Sequence, residues 1–391
     1  MIHRAKEASL LRQLKEGLCV KRKVAVAMSG GVDSSVAAAL LKDRGEEVIG
    51  VTMRLWGEDV DSGPAIESAK DVCALLGIKH TVLDLREIFK KEIIDDFLES
   101  YCRGLTPNPC VMCNRAIKFG ALMKLVDLLR AERLATGHYA RVTLDGASGR
   151  YLLRRGADTG KDQSYFLYRL NQYQLAHAVF PLGDMRKSET IETARRMGLP
   201  SADREESQEV CFIPDNDYRG LIESERPEAV KEGDFVDAAG NIVGRHRGIA
   251  FYTEGQRRGL NYSSPGGRSY VVNRDRETNR ITLGSRDDLL RGECMAAQTN
   301  WIFSNGINGP MPCEVRLRHR STPVKCTLFP EAVRPAADSG LGRVGQTGGS
   351  PPTPDCVRIV FDEPTTGVVP GQSAVFYHGD TVLGGGIIRK G

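Results

Sequence analysis

The strongest constraint on the fold is a strand, a glycine turn and a helix in immediate succession. Val24 to Met28 is a short apolar run that reads as a buried strand, Ser29 to Ser35 as the turn, and Val36 to Arg44 as a helix closed by Gly45. The alternation then repeats. Glu47 to Thr52 predicts a second strand, Ala65 to Leu76 a helix closed by Gly77, His80 to Leu83 a third strand, and Arg86 to about Cys102 a long helix. A helix over Ala116 to Arg130 and a strand near Leu134 to Thr136 follow. Continuous apolar strands separated by helices call for a parallel sheet covered on both faces, which predicts a doubly wound α/β domain ending near Pro214.

Beyond that point the pattern changes. Asp217 to Pro227 reads as a helix, and Phe235, Tyr270 to Val272 and Arg280 to Leu283 mark short strands among many glycines. From about Glu293 the chain is almost all short strands and turns, as in a small barrel or sandwich. The expected organisation is an N-terminal extension (1–22), a parallel-sheet domain (23–215), a small α+β domain (216–290) and a C-terminal β-barrel (291–391). Pro330 to Pro354 is rich in Gly, Pro and Ser and reads as a surface insertion at about 331–355. A length of 391 residues suits this, at roughly 150 residues per domain.

Lys and Arg total 54 against 50 Asp and Glu, a net charge of +4, which excludes a histone-like binder but allows a locally basic face. No apolar run reaches the roughly 18 residues of a membrane helix. Met1 to Arg22 carries Arg4, Lys6, Glu7, Arg12, Lys15 and Glu16, so it reads as a short amphipathic helix and not a secretory signal. A cytoplasmic protein is expected, and its ten cysteines should be mostly reduced thiols. Cys19, Cys73, Cys102, Cys294, Cys313, Cys326 and Cys356 stand singly and read as small core or surface residues.

The turn Ser29-Gly30-Gly31-Val32-Asp33-Ser34-Ser35 suits an oxyanion. Its glycines let backbone N–H groups approach a ligand, the serines add hydroxyls, and the helix points its positive end at the same place. Asp33 can cap that helix or hold Mg²⁺ against a phosphate. No Walker A loop exists, and Gly156 to Lys161 falls one residue short of one. Gly340-x-Gly342-x-x-Gly345 fits the dinucleotide fingerprint in form, but no strand precedes it and no helix follows it. The turn resembles the pyrophosphate loop of the ATP pyrophosphatase superfamily, whose members adenylate an oxygen and release pyrophosphate. That resemblance leaves NAD, GMP and argininosuccinate synthetases and tRNA-thiolating enzymes open.

Three further cysteines stand out. Cys110 and Cys113 lie in Thr106-Pro107-Asn108-Pro109-Cys110-Val111-Met112-Cys113-Asn114, read as a proline-stiffened loop ahead of the helix at Ala116, where a helix N-terminus would lower a thiol pKa. Cys211 lies about a hundred residues on, in Ser207 to Ile213. A lone C-x-x-C is a weak zinc signal because structural sites take four ligands. Buried free thiols are the plain alternative.

A specific resemblance joins these pieces. The phosphate turn, T-P-N-P-x-x-x-C-N with Ile117-Lys118-Phe119, Ala135-Thr136-Gly137-His138-Tyr139, Lys161-Asp162-Gln163-Ser164-Tyr165-Phe166, Cys211-Phe212-Ile213, Tyr252-Thr253-x-Gly255-Gln256-Arg257 and Pro370-Gly371-Gln372-Ser373-Ala374 occur in one order. Together they resemble the bacterial tRNA-specific 2-thiouridylase family from about Lys23 to the C-terminus. The resemblance implies ATP bound through Ala27, Met28, Ser29, Gly30, Gly31, Val32, Asp33 and Ser34, with Met53 and Gly137 completing the site. It implies adenylation of the carbon-2 carbonyl of the wobble uridine in lysine, glutamate and glutamine tRNAs. Cys211 would carry sulfur as a persulfide supplied by a cysteine desulfurase or a sulfur-relay protein, and Cys113 would release it, ending in a disulfide with Cys211. Better-known relatives carry Asp at the position of Cys110. With three thiols here, a [4Fe–4S] cluster on Cys110, Cys113 and Cys211 that binds sulfide is a second route.

For tRNA, the basic surface is expected to include Arg115, Lys118, Lys161, Arg257, Arg258 and Arg316 to Arg320, with Lys325 beyond; a solvated strand face is the plain alternative for that last run. The resemblance places Asn108, Pro109 and Cys110 at the target base, His138, Lys161, Asp162 and Gln163 near the anticodon, and Arg316 and Gln372 on tRNA from the C-terminal domain. Leu317 stands where the family usually has Tyr. Two other readings remain: a ligase of the same superfamily acting on a small carboxylate, which leaves the cysteines unexplained, and a non-catalytic tRNA-binding iron–sulfur protein.

Overall fold

The computed structural model describes residues 23–57, 59–202, 204, 210–213, 217–260, 262, 268–331 and 356–390. The extension Met1 to Arg22 and nearly all of the Gly/Pro/Ser-rich insertion lie outside these, so their readings have no structural counterpart.

The first domain is the doubly wound sheet that the apolar runs predicted. Strands β1 (Lys23–Ala27), β2 (Glu47–Arg54), β3 (Lys79–Asp84) and β4 (Arg133–Ala135) pair in parallel. Strands β5 (Ala140–Leu144) and β6 (Tyr151–Arg155) leave as a hairpin, and β7 (Ala178–Val179) returns, giving the order β3-β2-β1-β4-β7. β1 is central and its Val24, Ala25 and Val26 are wholly buried, as a strand covered on both faces must be. Helix α1 (Val32–Asp43) packs Val36, Ala37, Ala38 and Leu41 against one face, and α2 (Asp59–Leu76) adds Ala69, Val72 and Cys73 to the same cluster. α1 ends in a Schellman-like turn, with Gly45 at φ 81°.

The helix expected from Ala116 begins seven residues earlier. Asn108 Oδ1 accepts the Val111 N–H at 3.4 Å and Pro109 occupies the first turn, so helical backbone runs through Pro109–Met112, the π-segment Cys113–Leu122 and Met123–Leu128. Asn as N-cap followed by Pro at the first helical position is an ordinary helix start. Cys110 and Cys113 therefore sit on helical turns rather than in a loop.

The middle domain is a four-stranded sheet, β8 (Gly233–Val236), β9 (Ile242–His246), β10 (Tyr270–Asp275) and β11 (Arg280–Gly284), in the order β10-β11-β8-β9. Its Phe235, Phe251 and Ile281 share a core with Phe89, Phe97 and Tyr101 of the helical run after β3. In the last domain, β12 (Arg291–Trp301), β13 (Met311–Arg316), β14 (Val324–Glu331), β15 (Cys356–Thr365), β16 (Ser373–His378) and β17 (Thr381–Ile388) close into a barrel through the β12–β17 pairing. The hairpin from the first domain joins this barrel's sheet, because Thr381 and Val382 of β17 pair with Arg154 and Leu153 of β6.

The turn after β1 is held by close backbone contact. Gly30 has φ 73°, and a Cβ built there would collide with the Ala65 carbonyl of α2. Gly30→Ala combines a left-handed backbone cost with that collision and should lower stability by about 2–4 kcal/mol. Gly45→Ala, with a similar φ and open space around it, should cost only about 1–2 kcal/mol. Urea unfolding of the two variants checks the difference, and equal losses would show that the Ala65 contact is unimportant.

Candidate active site: a phosphate turn and three thiols on one cavity

The C-terminal ends of the parallel strands open onto a cavity of about 510 Å³. Met28 and Ser29 line it from β1, Thr52 and Met53 from β2, and Pro109, Cys110, Cys113 and Asn114 from the helix start. His138, Gln163 and Cys211 complete the predicted residues found there, with Lys118, Trp56, Phe166 and Phe212 beside them. Ligands of doubly wound sheets bind in such crevices beyond the strand ends.

At the β1 end, Ser29 N–H donates to Ser34 Oγ at 3.2 Å, and the Ser34 and Ser35 hydroxyls donate to the Gly31 carbonyl at 3.0 and 2.9 Å. Ser68 Oγ donates to the Gly30 carbonyl at 2.9 Å, and Arg204 Nη1 reaches the same oxygen at 3.3 Å. No side chain caps α1, whose N-cap is Gly31, so the positive end of the helix is left for an anion. Gly137 backs the turn: a Cβ there would lie 2.8 Å from the Asp33 carbonyl carbon and from Ser34 N.

Asp33 does not cap the helix. Its Oδ1 accepts from Lys187 Nζ at 2.7 Å and from the Tyr139 hydroxyl at 2.8 Å. Lys187 is a residue the sequence reading missed, since it lies on a distant helix (Lys187–Arg196) in a stretch without a recognisable motif. It is 9% exposed, and it brings a second positive charge beside the phosphate turn.

The three thiols occupy the other part of the cavity, and all the described cysteines are free. Cys211 is brought there by its neighbour Phe212, which is buried edge-on against Phe89 and Phe97 at centroid distances of 5.7 and 5.3 Å. Burying that ring is worth roughly 1.5–3 kcal/mol, enough to hold the short segment down. Burial pushes the Cys113 thiol up to about 12; Lys118 pulls it down, and Cys211 and Cys110 push it further up. Cys110 and Cys211 are likewise raised, first by burial, with Lys118 opposing in both. Cys211 keeps one side open to solvent while protein atoms crowd the rest of its thiol. The lowered pKa expected at a helix N-terminus is thus overturned for both Cys110 and Cys113. The helical segment that starts at Pro109 is only four residues long before the π-turns, and desolvation of the thiolate outweighs its dipole.

No group of three or more His, Cys, Asp or Glu side chains among the described residues could hold a metal ion. Cys110, Cys113 and Cys211 line the cavity as three free thiols.

The residues expected at tRNA separate into two groups. His138 and Gln163 line the cavity. His138 is buried and kept neutral by desolvation, with Nδ1 against Thr136 Oγ1 at 2.7 Å. Gln163 Oε1 accepts the Tyr139 N–H at 3.0 Å. Asp162 is different: its carboxylate is buried, accepts from Gly156 N–H and Ser164 N–H, and pairs with Arg316 Nη1 at 3.2 Å. Asp162 and Arg316 hold each other, joining the barrel to the first domain. Gln372 donates through Nε2 to the Thr106 and Pro107 carbonyls at 2.9 and 3.2 Å, and Asn108 is spent as a helix cap. Lys161 closes a turn of its own, its N–H donating to the Asp158 carbonyl at 3.1 Å.

This arrangement defines a nucleotide-binding α/β protein with a pyrophosphatase-type turn, a thiol-lined cavity and two appended β domains. Three family models match along the chain: a tRNA methyl transferase HUP domain over residues 22–215, a tRNA methyl transferase PRC-barrel domain over 221–285, and an aminomethyltransferase beta-barrel domain over 350–388. The tRNA-specific 2-thiouridylase MnmA of Moorella thermoacetica is 45% identical over 374 residues, covering 93% of this chain and 99% of its own. Those of Symbiobacterium thermophilum and Caldanaerobacter subterraneus subsp. tengcongensis are 40% and 44% identical over 387 and 381 residues, covering 96% and 95% of this chain and 94% and 99% of their own. The chain belongs to the tRNA-specific 2-thiouridylase family.

Because the Cys113 thiol is raised by burial, it is protonated at neutral pH in the resting protein. Its alkylation by iodoacetamide should therefore climb about tenfold per pH unit from pH 7 to 10 with no plateau. A plateau near pH 7, read by mass spectrometry of the Cys113 peptide, would contradict the burial argument.

Proposed function

We propose that this protein thiolates carbon 2 of the wobble uridine of lysine, glutamate and glutamine tRNAs at the expense of ATP. The observation that carries the reading is one cavity that Met28 and Ser29, at the start of the glycine turn, share with Cys110, Cys113 and Cys211. ATP would lay its phosphates on Ser29 to Ser34 and its adenosine along Ala27, Met28, Met53 and Gly137. Lys187 and the α1 N-terminus would offset the charge of the departing pyrophosphate. Asp33, whose Oδ1 is held by Lys187 and Tyr139, would be the carboxylate to hold Mg²⁺ brought with ATP, and the ion would supply further charge neutralisation.

A uracil carbonyl is a poor electrophile until its oxygen becomes a leaving group. Its O2 attacks the α-phosphorus of ATP, pyrophosphate departs, and the base is left as an O2-adenylate. The terminal sulfur of a Cys211 persulfide, loaded by a cysteine desulfurase or a relay protein, adds at carbon 2. Cys113 as thiolate attacks the inner Cys211 sulfur, the S–S bond of the persulfide breaks, and AMP leaves. The products are 2-thiouridine and a Cys113–Cys211 disulfide, which two electrons from a thiol reductant reopen. Lys118, the cation nearest the thiols by its effect on all three, favours the thiolate once the site is closed. Cys110 and Pro109, which line the cavity, would face the target base, with Asn108 holding the helix start behind them.

The base would have to leave the anticodon stack to reach the cavity, as single-stranded RNA bases do when enzymes act on them. Among the described residues no helix is long and apolar enough to cross a membrane, and the cytoplasm, where tRNA resides, is the proposed location.

Pyrophosphate release from ATP, measured with total tRNA and with a panel of small carboxylic acids, tests the reading. tRNA should stimulate release, and nucleoside mass analysis should find 2-thiouridine when a persulfide source is present. Cys211→Ser should keep pyrophosphate release and lose the thiolated nucleoside. Stimulation by a small acid and none by tRNA would overturn the assignment.

A further inference from the structure

Thr106 opens the segment that carries Cys110 and Cys113, and its polar groups are taken by the two β domains. Its N–H donates to the Pro370 carbonyl at 2.8 Å. Its carbonyl accepts from Gln372 Nε2 at 2.9 Å, and its hydroxyl accepts from Arg274 Nη2 at 3.1 Å. Pro370 and Gln372 belong to the barrel, Arg274 to β10 of the middle domain. The approach is close: a Cβ on Gly371 would sit 2.7 Å from Thr106 N.

Arg274 is the unusual member. It is 2% exposed, its Nη1 donates to the Tyr252 carbonyl at 2.7 Å, and its own carbonyl accepts from Lys390 Nζ near the C-terminus. A buried guanidinium needs acceptors, and the Thr106 hydroxyl is one of them. Three domains thus meet on one residue, four positions before Cys110. The hydrogen bonds of the phosphate turn run instead to Ser68, Tyr139, Lys187 and Arg204, none of which touches Thr106. The strand before the turn and the Pro109 helix share one apolar core, but the turn's own polar support does not pass through Thr106.

We propose that Thr106 is a positioning residue for the thiol half of the reaction: through it, the two β domains set where the Pro109 helix presents Cys110 and Cys113. The proposal rests on the thiolation reading above. Removing only the hydroxyl leaves the Arg274 nitrogen without its acceptor and loosens the middle domain's hold on the start of the helix, while the backbone bonds to Pro370 and Gln372 remain. Sulfur transfer then suffers, because a nucleophile displaced by about 1 Å can lose on the order of a hundredfold in rate. Adenylation, supported from elsewhere, does not.

The test uses the full chain as wild type, Thr106→Val, which keeps the shape and removes the hydroxyl, and Thr106→Ser, which restores it. Thr106→Val should lower kcat for thiolation by about tenfold or more. KM for tRNA and tRNA-stimulated pyrophosphate release should stay within about threefold, and Thr106→Ser should recover most of the loss. Thiolation unchanged in Thr106→Val, or pyrophosphate release falling in parallel with thiolation, overturns the proposal. The alkylation rates of Cys110 and Cys113 by iodoacetamide are a readout that needs no turnover. They should change at least threefold in Thr106→Val and return in Thr106→Ser, and equal rates in all three proteins also overturn it. If wild type makes no thiolated tRNA, the functional reading fails, while the alkylation comparison still decides whether Thr106 positions the thiols.

Discussion

The active cavity depends on the turn after β1 being held by backbone against backbone. Gly30 faces the Ala65 carbonyl and Gly137 faces the Asp33–Ser34 peptide, both at separations that leave no room for a side chain. That contact fixes the backbone between β1 and the uncapped start of α1. The Asp33–Lys187–Tyr139 group then ties the turn to a helix more than a hundred residues away. A phosphate site made of main chain needs such support, because its donors are aligned only while the turn keeps its shape.

Burial governs the thiol end as firmly as packing governs the phosphate end. Cys110, Cys113 and Cys211 lie where desolvation disfavours their charged forms; the Lys118 ammonium opposes it at all three, joined at Cys211 by a backbone hydrogen bond. Thiols held neutral at rest are protected from stray oxidation and alkylation, and the chemistry proposed for them requires a change of surroundings on tRNA binding. The exposed side of Cys211 suits a residue that must first receive sulfur from another protein, whereas Cys113, almost wholly enclosed, suits one that acts only inside the closed site.

Much of the fold was legible because the first domain uses the plainest code available. Apolar runs such as Val24 to Val26 are buried on both sides, and glycines at 45 and 77 close the helices that follow them. The phosphate turn and the thiol motifs were legible as local strings. What could not be read were contacts between strings. Lys187 carries no motif, and its role exists only because the fold lays it on Asp33. The Asp162–Arg316 pair reads as two polar residues until their burial is known. The pairing of β6 with β17 crosses a boundary drawn from composition, which says nothing about which strand edge finds which. The helix start at Pro109 is another kind of miss: Asn108 and Pro109 are an available cap signal, masked by reading both prolines as loop residues.

The central claim is that Cys113 and Cys211, distant in sequence, act together to deliver one sulfur atom to the substrate carbon. Non-reducing peptide mapping after a single turnover, with persulfide-loaded protein, ATP, tRNA and no added reductant, examines it most directly. A Cys113–Cys211 disulfide should accumulate in step with thiolated tRNA. Thiolated tRNA accompanied by a Cys110–Cys113 disulfide, or by no disulfide at Cys211, would contradict the account.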